Sequence, residues 1–139
     1  MIAAFGRSWQ AGTMFRAFSL ACALACALAC ALAAPPANAA PPEVVDASAR
    51  FDGTSWTISV TLRHPDTGWD HYASGWEVLA PDGTRLGYRA LTHPHVDEQP
   101  FTRSLSGIRI PPDVTAVLVR ARCTLDGWAG NPTPLALRR

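Results

Sequence analysis

From Glu43 to the C-terminus, apolar and polar side chains alternate with a period of two, and no stretch keeps the 3.6-residue apolar period with which a helix buries one face. The segment Trp56-Thr-Ile-Ser-Val-Thr-Leu-Arg63 shows the pattern most clearly. In an extended chain Trp56, Ile58, Val60 and Leu62 share one face, and Thr57, Ser59, Thr61 and Arg63 share the other. β-Branched and aromatic residues at the apolar positions suit a half-buried pleated surface, so the spacing predicts an all-β chain.

The remaining strands are read in the same way. Val45, Ala47, Ala49 and Phe51 form an inward face that reverses at Asp52-Gly53, a tight hairpin signal. Trp76, Val78 and Ala80 lead into a second reversal at Pro81-Asp82-Gly83, answered by Leu86, Tyr88 and Ala90. A fifth strand covers Phe101 to Ile110 with Phe101 and Leu105 inward and its phase shifting near Gly107, and Pro111-Pro112-Asp113 ends it. Arg103 interrupts that face, which predicts an edge strand or a buried acidic partner such as Glu77. Val117, Val119, Ala121, Cys123 and Leu125 make the inward face of a sixth strand, and Leu135 and Leu137 mark a seventh. Seven short strands with frequent turns predict a single antiparallel β-sandwich of the immunoglobulin or fibronectin type III kind.

The first 39 residues are of a different kind. Residues 17–34 form an uncharged apolar run preceded by Arg7 and Arg16, and Ala37 and Ala39 satisfy the small-x-small cleavage rule. We read residues 1–39 as a signal peptide cut after Ala39, with Met14 an alternative start, and residues 40–139 as one domain. The expected address is the periplasm or the exterior. The alternative is a lipid or signal anchor, since Cys22, Cys26 and Cys30 each follow alanine, although the apolar run barely reaches the roughly 20 residues of a membrane span. Cys123 alone remains in the domain, so no internal disulfide forms, and its alternation with Val119 and Ala121 reads as a small core residue.

Charge excludes one partner class. All twelve basic residues are arginine; two lie in the leader, which leaves ten against eleven acids and no basic run before Arg138-Arg139. Such a domain lacks the electrostatic footprint for nucleic acid, and it offers no polybasic patch to a membrane.

Because consecutive antiparallel strands place every second connection at the same end, the tight turns fall at one end and the long loops at the other. The long loops are His64–Tyr72, Thr92–Gln99 and Asp126–Asn131, and they hold all four histidines. Loops on a rigid sandwich are where such domains bind. Two readings follow. In the first, His93-Pro94-His95 offers two imidazoles on one side, His71 or His64 completes the set, and Asp70, Asp97 or Glu98 supplies a carboxylate. Zinc, copper(II) or nickel(II) suits these donors, whereas the domain has no methionine for copper(I), and no histidine follows Cys123 as a blue-copper arrangement expects. In the second, Trp69, Tyr72 and Trp128 form a recognition surface for an unknown protein, glycan or small ligand without any metal. Trp56 and Trp76, on inward strand faces, are expected in the core.

Enzymatic function is not expected. The pairs Asp97/Glu98 and Asp66/Asp70 lack a deep cleft to exclude water, and none of the common nucleophile, zinc-protease or phosphate-loop motifs is present. A metal-dependent enzyme stands as the alternative.

Two resemblances add to this reading. Ile110-Pro-Pro-Asp-Val-Thr-Ala-Val-Leu-Val-Arg-Ala-Arg122 resembles the proline-led sixth strand of fibronectin type III domains. The segments Gly68-Trp-Asp-His-Tyr-Ala-Ser-Gly-Trp-Glu-Val78 and His93-Pro-His-Val-Asp-Glu-Gln-Pro-Phe-Thr-Arg-Ser-Leu105 are similar to those of a family of small, uncharacterised exported bacterial proteins. That likeness implies a self-contained domain and no particular activity.

Overall fold

In the computed structural model, residues 40–139 are described; the predicted leader, its cleavage after Ala39 and the alternative start at Met14 lie outside them. The alternating segments become β1 (Glu43–Phe51), β2 (Trp56–Arg63), β3 (Ala73–Leu79), β4 (Arg85–Ala90), β5 (Phe101–Ile108), β6 (Ala116–Cys123), β7 (Gly127–Trp128) and β8 (Thr133–Ala136). No helix occurs among the described residues, in keeping with the missing 3.6-residue period.

The strands form two antiparallel sheets, a three-stranded one ordered β1-β2-β5 and a five-stranded one ordered β4-β3-β6-β7, with β8 also paired to β6. Ile58, Val60 and Leu62 of β2 are fully buried and share one cluster with Trp76 and Val78 of β3 and Val117, Val119 and Ala121 of β6. The two inner faces thus enclose a single apolar core, the layer arrangement of a β-sandwich. Burying each such aliphatic side chain stabilises the fold by about 1.5–3 kcal/mol, and Trp56 and Trp76 add large apolar areas at its centre.

Four local expectations need correction. In β1 a register shift between Val44 and Asp46 puts Val44, rather than Val45, against the core with Ala47, Ala49 and Phe51. The strand expected at Leu135 and Leu137 is β8, and the expected loop Asp126–Asn131 holds an additional two-residue strand, β7, on the same edge of β6, with Gly130, Asn131 and Pro132 interrupting the ladder between them. Leu125 is 65% exposed, since β6 ends at Cys123 and its alternation stops there. Arg103 does lie on an edge strand, β5, but its partner is Glu98, at 3.0 Å, and not Glu77. Glu77 is buried on the outer face of the second sheet, where Arg85 and Arg120 donate to it at 2.7 and 2.8 Å.

The expected phase shift near Gly107 is a bulge: Trp56 pairs with Ile108 and Ile58 with Leu105, so β5 carries an extra residue. Gly107 accommodates it at φ 76°, a conformation costly for side chains with a Cβ. Register also gathers the long connections. Leu62 pairs with Phe101 in one sheet and Ala73 with Cys123 and Gly75 with Ala90 in the other, and the Ala73 amide reaches Asp66, just past β2, so the end of β2, the start of β3, the start of β5 and the end of β6 share one end of the described domain.

Candidate metal centre at the loop end

The centre is built on the end of β2. Pro65 holds the preceding His64 extended, and the His64 amide donates to Gln99 Oε1 at 3.0 Å. His64 is 1% exposed, and its Nδ1 lies 2.6 Å from Asp66 Oδ1. Asp66 has a fully buried side chain that also accepts from the amides of Ala73 at 3.0 Å and His95 at 2.7 Å. A carboxylate placed among donors in this way has its burial offset by hydrogen bonds. We therefore assign the proton of this contact to His64 Nδ1, which leaves the lone pair on Nε2. His64 Nε2 is buried with no hydrogen-bond partner among the described residues.

His71 arrives through a small hairpin. The Thr67 amide donates to the His71 carbonyl at 2.9 Å, the His71 amide donates back to the Gly68 carbonyl at 3.2 Å, and Trp69-Asp70 form the tip. Gly68 at φ 138° permits this reversal, which residues with a Cβ rarely adopt. The ring of His71 then meets that of His64 edge-on, centroids 4.7 Å apart, and its Nε2 is likewise buried without a hydrogen-bond partner among the described residues.

Cys123 supplies the third donor. It keeps the inward phase of Val117, Val119 and Ala121, is fully buried, and stands at the last position of β6 opposite Ala73. A ring nitrogen of His64, a ring nitrogen of His71 and Cys123 Sγ all lie within 4.8 Å of one another. Close by, Asp126 Oδ2 is 3.7 Å from Cys123 Sγ and 4.0 Å from His71 Nε2. Two imidazole nitrogens and a thiol, with a carboxylate beside them, form a donor set for zinc-class ions. The contact of Asp66 with His64 Nδ1 is the orienting carboxylate–histidine pair that commonly backs metal-ligating histidines.

The seven residues foreseen as metal ligands divide. His64 and His71 converge. His93 and His95 adjoin each other instead, ring centroids 4.5 Å apart, with His95 stacked on Phe101 at 3.8 Å and 7°. Burial, with the charges of Arg103 and His93, holds the His95 imidazole below its ordinary pKa, against the opposing pull of Glu98 and Asp66. Asp70 and Asp97 are exposed. Glu98 receives both terminal nitrogens of Arg103, at 3.0 and 3.3 Å, and these bonds hold its carboxyl below the usual range.

Cys123 and Asp126 are the donors that sequence reasoning left out. Cys123 is a core residue, as its alternation predicts, but the core face of β6 runs out among the loop histidines. His64 and His71 meet Cys123 from a loop that precedes it in the chain. The usable signal was position: Cys123 stands three residues before Asp126, on a strand running toward the long-loop end.

The three foreseen recognition aromatics occupy two surfaces. Trp69 is 68% exposed and packs edge-on against Tyr72, centroids 6.0 Å apart. Trp128 lies in β7 against Tyr88, with the guanidinium groups of Arg85, Arg120 and Arg122 at 5.7, 5.0 and 5.8 Å from its ring.

Comparison with known proteins adds one relative. Over 89 residues the chain is 44% identical to a protein of Halomicrobium mukohataei named "Putative lipoprotein"; the match covers 63% of this chain and 43% of that protein. The chain thus spans less than half the length of the relative it matches. No protein-family model and no solved structure matches it.

Proposed function

We propose that this chain is an exported, non-enzymatic accessory module on a fibronectin type III-like sandwich, and that its loop end binds one divalent metal ion through His64, His71 and Cys123. One observation carries the reading: a fully buried histidine is oriented by a buried carboxylate through one ring nitrogen, its other nitrogen has no partner among the described residues, and a second histidine and a thiol bring donor atoms within 4.8 Å of its ring. An unpaired buried ring nitrogen costs about 1–3 kcal/mol, and an ion would relieve that cost. Zinc, copper(II) and nickel(II) are the candidates.

Export is supported by the apolar leader and by the name of the relative, which also favours an anchored form acylated at Cys22, Cys26 or Cys30. No helix among the described residues is long and apolar enough to cross a membrane. Strand order supports the fibronectin-like assignment: the first, second and fifth strands make one sheet and the fourth, third, sixth and last pieces make the other.

The test is elemental mass spectrometry on the full chain expressed with its leader and purified without added metal. Near-stoichiometric metal is expected, lost in His64→Ala and in Cys123→Ser but retained in the His93→Ala/His95→Ala double variant. A folded protein free of metal, and unable to take up added zinc, copper or nickel, sinks the reading.

A second reading has its own observation. Exposed Trp69, with Tyr72 behind it, borders an open recess of about 570 Å³ lined by His93, Pro94, Val96 and Glu98, a surface suited to a protein or glycan partner. Trp69→Ala would then abolish capture of a partner by the folded protein, and unaltered capture would count against this surface.

A further inference from the structure

We infer that Asp126 is the fourth ligand and the entry side of this centre, so that the site takes a tetrahedral, zinc-class divalent ion and exchanges it past the Asp126 carboxylate. This rests on the metal reading above and deepens it.

Spacing is the first argument. Zinc bonds of about 2.0–2.1 Å to nitrogen or oxygen and about 2.3 Å to sulfur set tetrahedral ligand–ligand distances of roughly 3.3–3.7 Å. Asp126 Oδ2 is 3.7 Å from Cys123 Sγ and 4.0 Å from His71 Nε2, near those spacings, while it stands outside the set of His64, His71 and Cys123 donors that lie within 4.8 Å of one another, so binding draws the Asp126 side chain inward toward His64. The carboxylate is also uncommitted: its one side-chain hydrogen-bond contact among the described residues is the long one from the Cys123 thiol.

Charge is the second. On binding, the Cys123 S–H bond breaks, the sulfur–metal bond forms and the proton leaves to solvent, so thiolate and Asp126 carboxylate together carry two negative charges beside two neutral imidazoles. A divalent ion then balances the charge of its own four ligands, whereas a monovalent ion leaves them net negative beside the buried Asp66 carboxylate, where burial is costly. Mixed nitrogen, sulfur and oxygen donors suit borderline ions rather than magnesium or calcium.

Access is the third. The side chain of His64 is fully buried, Cys123 is fully buried and His71 is 12% exposed at its side chain, while Asp126 is 39% exposed. Of the four donors only Asp126 offers the ion a wet side, and a monodentate carboxylate there is the ligand most readily traded for water.

Cobalt(II) reads the proposal directly, because thiolate and tetrahedral coordination both give visible absorption. The full chain, stripped of metal, is titrated with cobalt(II), the affinity is measured by chelator competition, and release is timed after adding excess EDTA. Wild type should bind one cobalt(II) with a thiolate-to-metal band and an intense tetrahedral spectrum, and zinc should displace it. Asp126→Asn should keep the thiolate band yet bind about tenfold or more weakly and release the ion correspondingly faster, an effect of the size that ligand-environment changes produce. Circular dichroism checks that this surface variant is folded. Affinity, spectrum and release rate equal to wild type overturn the role of Asp126 and leave the three-ligand reading standing. A wild-type protein that binds neither cobalt nor zinc, or a thiolate band that survives Cys123→Ser, overturns the metal reading itself.

Discussion

Asp66 shows how much a single side chain is asked to do in this molecule. Its two oxygens receive His64 Nδ1, the Ala73 amide and the His95 amide, tying the ends of β2 and β3 to the loop before β5. Asp66→Asn keeps one acceptor oxygen and introduces two donors among donors, so a loss of about 2 kcal/mol or more in urea denaturation is expected, together with weakened metal uptake. His95 predicts a pH effect. Its proton is disfavoured in the folded state, mainly by burial, so the unfolded chain protonates first as pH falls through the ordinary value of 6.5. Stability is therefore greatest above that value and declines as pH falls below it toward the depressed folded pKa. The urea midpoint should drop between about pH 7.5 and pH 5.5, and the part due to His95 should vanish in His95→Gln. An equal drop in the variant would assign the effect elsewhere.

Among elements, β2 is the one whose sequence and structure agree at every position, its buried and part-buried residues alternating from Trp56 to Leu62. Ile58→Ala, at the centre of the shared core, should cost about 2–5 kcal/mol, whereas Thr61→Ala on the opposite face, which loses a cross-strand hydroxyl contact with Thr102 at 2.7 Å, should cost about 1 kcal/mol or less. The two measurements together test which face is buried. β5 departs from simple alternation at its bulge, and Gly107→Val should destabilise by about 1–3 kcal/mol through its positive φ, without touching the core. Bulges were the least legible feature. The phase shift near Gly107 carries a glycine to mark it, while the shift between Val44 and Asp46 lies in a run of two adjacent valines that fits either register equally well.

At the level of the whole molecule, the proposed metal ties the end of β6 to the loop that crosses from β2 in one sheet to β3 in the other. An ion that binds only the folded state should raise its stability by about 2.7 kcal/mol at a free concentration one hundred times its dissociation constant. For a domain of this size that is a rise of roughly 10–20 °C in Tm, reversed by EDTA and absent in His64→Ala. A Tm indifferent to zinc, cobalt and EDTA alike would speak against a folded-state ion.

The all-β class, the antiparallel two-sheet arrangement, the inward faces of most strands, the tight turns and the grouping of long loops at one end were readable from the sequence, because side-chain alternation and turn chemistry are local properties of neighbouring residues. Which donors meet was not readable. Alternation places Cys123 on the inner face and leaves open what stands opposite; that depends on the register pairing Cys123 with Ala73, on the Gly68 reversal that returns His71, and on Asp66 turning His64 inward. The same tertiary contacts send His95 onto Phe101 and Trp128 onto Tyr88, away from the groups their loop positions promised. Convergence of side chains from distant segments is set by packing between strands, and only the folded chain decides it.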